Sequence, residues 1–364
     1  MKLKSIEIKG FKSFKSLGLR LFKLNILIGP NGSGKSNFIS FFKLLNQIIE
    51  RKLQLFIGQS GGADSLLRYG RKSTEEIYFK LRFGDNSYYA KLVPTLKNSL
   101  IFSEEHCSFK YEFMQPPKKY EIELGKGGHE ETGLFDEEKD HPGKIAFHVI
   151  DYLKVCKVYH FHDTSDSSKM KQMCDINDNE ILKPDASNLA AYLFMLKEKH
   201  PKHFSNIVDS IKRIMPSFDN FNLKPSKLND NKISLEWSER NTDSYFDAHS
   251  LSDGTLRFIC LATLLLQPEL PSTILLDEPE LGLHPSAITL LSGLLKSASQ
   301  KAQVICSTQS VTLVNKFEPK DILVVDRDNE GSVFRRLDTN ELQQWLEDYE
   351  LGDLWEKNVL GGTP

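Results

Sequence analysis

The stretch GPNGSGKS at residues 29–36 decides the fold of this chain. Glycine stands at its first and sixth positions and is followed by Lys35 and Ser36, which is the GxxxxGK[ST] pattern of a phosphate-binding loop. Glycines let several backbone N–H groups converge on one phosphate, and a following helix directs its N-terminal partial charge at the same anion. The pattern predicts that Lys35 contacts the β- and γ-phosphates of a nucleotide and that Ser36 binds Mg²⁺.

The segments on both sides of the loop support this interpretation. Residues 19–28 form a strand-like run, and apolar residues recur at helical spacing over residues 38–49, which predicts a buried strand, the loop and a buried helix in succession. The remaining nucleotide contacts are then predicted along the loop and the first helical turn, at Gly29, Pro30, Asn31, Gly32, Ser33, Gly34 and Asn37.

A second signal is the run TILLDEPE at residues 273–280. Apolar residues that end in acids suit a buried parallel strand whose carboxyl end meets the ligand. Asp277 is predicted to hold Mg²⁺, directly or through water. Glu278 is predicted to orient or deprotonate the attacking water.

Strands and helices alternate in the last third of the chain, which predicts a parallel sheet with helical crossovers. Residues 73–124 read instead as short antiparallel strands, and residues 125–144 read as a polar loop. Two helices are predicted at residues 188–199 and 201–215, and neither keeps a heptad long enough for a coiled coil.

Composition excludes several classes of protein. With 40% hydrophobic and 26% charged residues among 364, the chain is an ordinary globular one, and its net charge of −2 argues against a uniformly basic nucleic-acid coat protein. No apolar run reaches the roughly eighteen residues of a membrane span, and the N-terminus lacks the apolar core of a signal peptide, so a cytoplasmic protein without membrane contact is expected. Residues 1–52 carry a net charge of +9, which suits either a nucleic-acid face or a solvated surface beyond the charges that serve phosphate.

One more motif indicates the family. LSDGT at residues 251–255 resembles the LSGGQ signature of ABC-type ATPases, and it stands in the correct order between the phosphate loop and ILLDEPE. Together with the opening IEIKGFKSFKSL and with DEPELGLHP, the chain resembles the RecF-, SMC- and OLD-like branch. It is similar above all to stand-alone prokaryotic predicted ATPases described as AAA-family, through segments that include GGADSLLRYGRKSTEEI, FHDTS and LGDLWEKNVLGGTP.

The resemblance implies a head-to-tail dimer that binds ATP between the phosphate loop of one chain and the signature of the other. Ser252 and Gly254 would then contact the γ-phosphate bound by the partner chain, whereas Asp253 departs from the commoner glycine and receives no ligand role. Lys12 and Ser13 match a turn that approaches the base or the phosphates in this branch; an ordinary basic turn is the alternative.

The switch position of the family departs from the common pattern. Many relatives carry a histidine after the strand that follows the acidic strand, whereas this chain has Gln309, which can position water or donate to phosphate but cannot accept a proton. Proton transfer would then depend on Glu278, and hydrolysis is expected to be slow. The glutamine-loop residue stays open between Gln59 and Gln115, both of which also suit a plain surface position.

The predicted fold is therefore α/β: a phosphate-loop ABC-type ATPase head with an antiparallel β lobe, an inserted helical lid and no long coiled coil. Residues 1–60 and 220–364 would form the nucleotide-binding domain, with strands from 70–165 as its β lobe, and residues 166–219 would form the lid. The pair His160 and His162 is interpreted as structural or close to the nucleotide, not as a metal cluster.

The expected function is ATP binding and slow hydrolysis to ADP and phosphate, with Mg²⁺ as cofactor. ATP-driven dimerisation would control a separately encoded, nuclease-like effector in phage defence. The alternatives are a RecF/SMC-like repair ATPase that binds DNA directly and, less consistent with the long separation of the motifs, the energy subunit of a transporter.

Overall fold

The computed structural model of the chain describes residues 2–111 and 118–362. The strands are β1 (Leu3–Phe11), β2 (Phe14–Arg20), β3 (Leu24–Ile28), β4 (Ile77–Phe83), β5 (Asn86–Pro94), β6 (Leu100–Tyr111), β7 (Lys118–Glu123), β8 (Cys156–Tyr159), β9 (Cys174–Asp175), β10 (Phe218–Phe221), β11 (Pro225–Ser226), β12 (Asn229–Ile233), β13 (Glu236–Glu239), β14 (Tyr245–Asp247), β15 (Thr273–Asp277), β16 (Gln303–Ser307), β17 (Ile322–Asp328) and β18 (Gly331–Arg336). The α-helices are α1 (Lys35–Ile49), α2 (Leu53–Gln59), α3 (Ala63–Leu66), α4 (Leu134–Asp140), α5 (Ile145–Lys154), α6 (Leu189–Lys199), α7 (Pro201–Ile214), α8 (Asp253–Leu266), α9 (Pro285–Lys301), α10 (Val311–Val314), α11 (Thr339–Leu342) and α12 (Leu351–Glu356).

A six-stranded mixed sheet in the order β18-β17-β3-β16-β15-β8 forms the centre of the molecule. Five of its strands are parallel, and β18 pairs antiparallel with β17. Every residue of β3 and β16 is buried, as expected for parallel strands covered on both faces. Leu275 and Ile305 face a core formed with α1 and α5, whereas Ile274 and Leu276 face α8 and α9. The carboxyl ends of β3, β15 and β16 therefore meet at one edge.

A second sheet, entirely antiparallel, has the order β2-β1-β4-β5-β6-β7. Its strand residues alternate between buried and accessible, most regularly in β4, so one face of the sheet is covered. The cover is α1, since the ring of Phe41 lies edge-on to Phe11 at 5.5 Å and to Phe79 at 5.4 Å between centroids. The helix that follows the phosphate loop thus packs against both sheets.

Helices α6 and α7 pack on the far side of α8 within the predicted lid segment, residues 166–219. The small sheet β10-β13-β14 continues this layer, with the ring of Trp237 stacked between those of Phe218 and Phe246. This layer joins the core that contains α8 and α9, so the lid is in direct contact with the signature helix.

The predicted fold class is confirmed: the protein is an α/β head with an antiparallel lobe and an inserted pair of helices, and the longest α-helix of the described residues, α9, has 17 residues. The division into domains stays a prediction, and the structure adds two details to it. Strands β1 and β2 pair in the antiparallel lobe, and β8, which falls in the segment assigned to that lobe, pairs in the mixed sheet.

The prediction of a loop over residues 125–144 was wrong in part, because α4 lies within it. The sequence of this helix is rich in acids, but it contains Leu134, whose side chain is fully buried. A membrane-crossing helix, which would have to be long and apolar, is not found among the described residues.

Candidate nucleotide-binding site

The phosphate loop connects β3 to α1 and depends on glycine at Gly34. This residue has φ +120, and a Cβ there would lie 2.2 Å from the Oγ and 2.8 Å from the Cβ of Ser332, so any other residue would strain the backbone and displace Ser332. Asn31 and Gly32 are exposed at the crest of the loop, whereas Ser33 is buried beneath it. Helix α1 begins directly after Gly34, so the backbone N–H groups of its first turn point toward the space above the loop.

The Lys35 side chain is buried and lies along the loop. Its Nζ donates to the carbonyl oxygens of Gly29 at 2.6 Å and Pro30 at 3.0 Å. Burial lowers the pKa of this ammonium, and the carboxylates of Glu278 and Asp277 act in the opposite direction. The cation is therefore placed between the loop and the acids that the sequence predicted to act with it.

Asp277 and Glu278 stand at the carboxyl end of β15, where that strand pairs with β16. The Oγ of Ser307 donates to Oδ1 of Asp277, and the backbone N–H of Glu278 donates to the carbonyl oxygen of Ser307 at 3.0 Å. Glu278 has φ +43, a left-handed conformation that costs a non-glycine residue of order 1–3 kcal/mol. This conformation turns the chain sharply after Asp277, so the two acids do not follow the alternation of a strand.

The two predicted catalytic residues are in direct contact. Nε2 of Gln309 donates to Oε1 of Glu278, and both side chains line a cavity of about 100 Å³ together with Lys35 and Ser36. An amide that donates to a carboxylate can orient it and leaves the second oxygen of that carboxylate free to accept a proton. This arrangement provides a base, an orienting group, a cation and a serine hydroxyl around one small space.

The turn between β1 and β2, with the sequence FKSF at residues 11–14, lies beside the first two turns of α1. Ser13 Oγ accepts a hydrogen bond from Nδ2 of Asn37 at 2.8 Å and lies within hydrogen-bond distance of Oγ of Ser332, at 2.7 Å. Lys12, with φ +46, donates from Nζ to Oγ of Ser40 at 2.7 Å. Both residues thus contact the helix that carries the loop, and their roles toward a nucleotide stay predictions.

The signature residues lie at the N-terminus of α8. Ser252 is exposed and caps this helix, with its Oγ accepting from the backbone N–H of Thr255 at 3.2 Å. Gly254 packs against the turn after β15, where a Cβ would lie 2.4 Å from the carbonyl oxygen of Gly282. The hydroxyl of Ser252 is therefore presented at the surface, on a helix that also contacts the acidic segment of its own chain.

The loop after β8 carries His160 and His162, for which the sequence predicts a structural place or one close to the nucleotide. Nε2 of His162 donates to the backbone carbonyl of Asp277 at 2.7 Å. Burial, followed by the charge of Lys43, lowers the pKa of His160 to about 4. The sequence signal for this loop is the FHDTS segment after an apolar strand, but only the strand order places that segment beside Asp277.

Of the two glutamine-loop candidates, Gln59 is exposed at the end of α2, and Gln115 lies outside the described residues. No group of three or more metal-ligating side chains occurs in the described parts of the chain.

The C-terminal segment, residues 351–362, forms one more wall of the site beside the phosphate loop; it is called the C-terminal wall below. Nε1 of Trp355 donates to the carbonyl oxygen of Gly362 at 2.8 Å, and a Cβ on Gly362 would lie 3.4 Å from the Cα of Gly29. Trp355 and Gln309 line a cavity of about 1020 Å³ on this side of the loop. In the sequence, the segment LGDLWEKNVLGGTP carries only a family resemblance and no local pattern that places it beside the phosphate loop.

Two family models match the chain in succession. The model described as an AAA ATPase domain matches residues 1–181, and the model described as an AAA domain, putative AbiEii toxin, Type IV TA system matches residues 178–315. The matched residues contain the phosphate loop, the acidic strand and Gln309, which the structure brings together around one space, and they also contain the signature. The chain is an ATPase of the RecF/SMC/OLD-like branch.

Relatives of this ATPase come from two further comparisons. It is 22% identical to the Old nuclease of Escherichia phage P2 over 388 aligned positions, which cover 94% of this chain and 62% of that protein. The chain thus spans about three fifths of the length of this curated relative.

The solved structures that it resembles are SMC heads. One is an SmcHead bound to the C-winged helix domain of ScpA, with a TM-score of 0.62, 14% identity and coverage of 94% of this chain and 100% of that one. Another is the Smc head domain with an extended coiled coil, bound to the C-terminal domain of ScpA derived from Pyrococcus furiosus, with a TM-score of 0.52, 14% identity and coverage of 95% and 99%. These likenesses show the fold.

Proposed function

We propose that this ATPase binds and slowly hydrolyses ATP between two copies arranged head to tail, and that closing of the dimer controls a separately encoded, nuclease-like effector in phage defence. The observation that carries the proposal is the contact between Gln309 and Glu278 beside Lys35, while Ser252 faces outward at the start of α8. One chain thus offers a hydrolytic half-site in one place and an exposed phosphate-binding element in another.

The half-site has a side chain for each requirement of phosphoryl transfer to water. Lys35 would neutralise the β- and γ-phosphates, and Glu278 would accept the proton of the attacking water. Ser36 and Asp277 present the hard oxygen atoms that Mg²⁺ prefers. Ser36 lines the cavity beside Lys35 and Glu278, and Asp277 directly precedes Glu278 at the end of β15, so the two residues fit this ion. When bound, Mg²⁺ would offset negative charge on the phosphates.

Slow turnover follows from the residue at the switch position. Gln309 orients Glu278 through a donated hydrogen bond and has no site that takes up a proton at neutral pH. A long-lived ATP-bound state suits a protein whose output is a closed dimer.

The outward-facing signature supports the dimer. The N-terminus of α8 carries the partial positive charge of the helix and a serine hydroxyl at the surface, which together suit an anion held by another copy. The contact of Gly254 with the turn at Gly282 links this helix to the acidic segment of its own chain.

Two comparisons support the proposal that this chain controls a nuclease-like effector in defence. One matching family model is described as a putative AbiEii toxin, and the phage relative is named a nuclease. In this proposal the chain controls cleavage, and a separately encoded partner carries it out.

The test uses Glu278→Gln, which removes the proton acceptor and keeps an acceptor oxygen for Gln309. We expect it to bind ATP, to stop hydrolysis and to accumulate as a dimer in light scattering with ATP and Mg²⁺, but not with ADP. The trapped dimer should retain the separately encoded, nuclease-like effector when both are co-expressed. A variant that hydrolyses ATP like the wild type, or that stays monomeric with ATP, contradicts the proposal.

A further inference from the structure

A third carboxylate lies buried beside the two residues assigned to catalysis. Glu280 is 7% exposed, and its Oε1 accepts hydrogen bonds from Oγ1 of Thr308 and from the backbone N–H of Gln309, the latter at 3.2 Å. Its Oε2 is also buried and accepts no hydrogen bond from any residue that the structure describes. Burial raises the pKa of this carboxyl group. Such a group is costly to bury, so its place needs a reason.

The turn after β15 explains how two acids reach opposite sides of one residue. Glu278 adopts φ +43 and donates its N–H to Ser307, which aligns the turn with the end of β16. Gln309 then lies between the acids: Glu280 accepts from its backbone, and Glu278 accepts from its side-chain amide. The two bonds hold both ends of the same residue.

We propose that Glu280 is the positioning residue of the catalytic pair. It fixes the backbone of residues 308–309, so that the Gln309 amide lies against Glu278 and directs that carboxylate toward the water above Lys35. Glu280 does not touch the substrate and acts only through Gln309. This inference rests on the proposed hydrolysis of ATP, and it assigns Glu280, the third acid of the DEPE run, a role distinct from those of Asp277 and Glu278.

A purely structural role is the alternative against which the inference is tested. The same turn is stabilised by Thr308 Oγ1, which accepts from the N–H of Ser310 at 3.0 Å, and by Ser310, which caps α10. If Glu280 only supported this turn, its loss would reduce stability and would act on turnover independently of the side chain at 309. Energetic coupling between positions 280 and 309 separates the two roles.

The experiment is a double-mutant cycle on ATP hydrolysis with Glu280→Ala, Gln309→Ala and the double variant. Glu280→Ala is expected to lower kcat by about tenfold to a hundredfold, since a displaced catalytic group costs that much, with KM for ATP changed by less than about threefold. In the Gln309→Ala background the same substitution is expected to cost less than about twofold. Glu347→Ala, at an exposed glutamate, is the matched control and keeps wild-type turnover.

Two conservative variants complete the design. Glu280→Gln keeps an oxygen that can accept from Thr308 and from the Gln309 backbone, and should retain at least about a third of kcat. Glu280→Asp keeps the charge but is shorter by one methylene, and should lose kcat like the alanine variant. If Glu280→Ala does not fold, as judged by circular dichroism, the cycle is run with Glu280→Asp.

The outcomes separate this inference from the proposed function. A wild-type protein without Mg²⁺-dependent ATP hydrolysis overturns both. A wild-type protein that hydrolyses ATP, with equal losses from Glu280→Ala in both backgrounds or with no loss in either, overturns only the role of Glu280.

Discussion

A mixture of two inactive variants gives the sharpest test of the head-to-tail arrangement. Lys35→Ala removes the cation of the phosphate loop, and Ser252→Asp disturbs the signature at the N-terminus of α8. If each ATP lies between the loop of one chain and the signature of the other, each variant alone is inactive. In a mixed dimer one site collects both defects and the other has neither.

The choice of aspartate at position 252 follows from the structure. Ser252 caps α8 through the N–H of Thr255, so Ser252→Ala would lose a cap worth about 1 kcal/mol. Aspartate is an equally good cap, so Ser252→Asp should keep the free energy of unfolding within about 0.5 kcal/mol of the wild-type value. Its charge at about 4 Å from a phosphate charge costs about 4 kcal/mol at an effective dielectric constant of about 20, which weakens the closed dimer by roughly a thousandfold.

The assay is ATP hydrolysis by an equimolar mixture after subunit exchange. Random exchange makes about half of the dimers mixed, each with one intact site of two, so about a quarter of the wild-type rate should return if the sites act independently. Exchange is verified with two affinity tags, and ATP-dependent dimers are measured alongside, because strict cooperativity can silence a lone intact site. Verified exchange without turnover and without ATP-dependent dimers would refute the head-to-tail model.

Three further changes test separate parts of the site. Lys35→Ala should abolish binding of a fluorescent ATP analogue, whereas Lys296→Ala, at an exposed lysine, should not; wild-type affinity in the first variant would contradict the phosphate-loop assignment. Gln309→His should retain or raise ATP hydrolysis, because an imidazole can both orient Glu278 and accept a proton; a loss of turnover with normal ATP binding would count against position 309 as the switch. Trp355→Phe should lower the free energy of unfolding by about 1 kcal/mol in urea, because its bond to Gly362 is lost, and an unchanged midpoint would contradict that role for the C-terminal wall.

The sequence predicted the parts of the site that are local along the chain. The phosphate loop needs only a strand, eight residues and a helix, and the acidic strand needs only an apolar run before its acids. Gln309 was found because family order places it after the next strand, which pairs with the acidic strand in register, Asp277 opposite Ser307. In each case a short pattern determines the local backbone, and the strand order then brings these short segments together.

The rest of the site depends on contacts between distant positions, which no short pattern encodes. Ser332 donates to the carbonyl oxygen of Ser33 at 2.5 Å across nearly the whole chain, because β18 folds back beside the loop. His162 reaches Asp277 only because β8 is the neighbour of β15 in the mixed sheet. In the sequence, Glu280 is one more acid after the apolar strand. Its role depends on the left-handed backbone conformation of Glu278, which directs Glu280 inward. These residues become recognisable once the sheet order is known.

The burial of His160 leads to a last prediction, on pH. Its pKa is lowered from 6.5 to about 4 by burial and by the charge of Lys43, so between these values the unfolded chain holds the proton and the folded chain does not. Stability should therefore fall as pH decreases from 6.5 toward 4, and this part of the loss should disappear in His160→Gln, which stays neutral. The free energy of unfolding in urea is measured across that range for the wild type, for His160→Gln and for His141→Gln, a control at an exposed histidine. If His160→Gln and the wild type lose stability in parallel, the proton uptake belongs to other groups, and the imidazole at the end of β8 is not held in its neutral form by its surroundings.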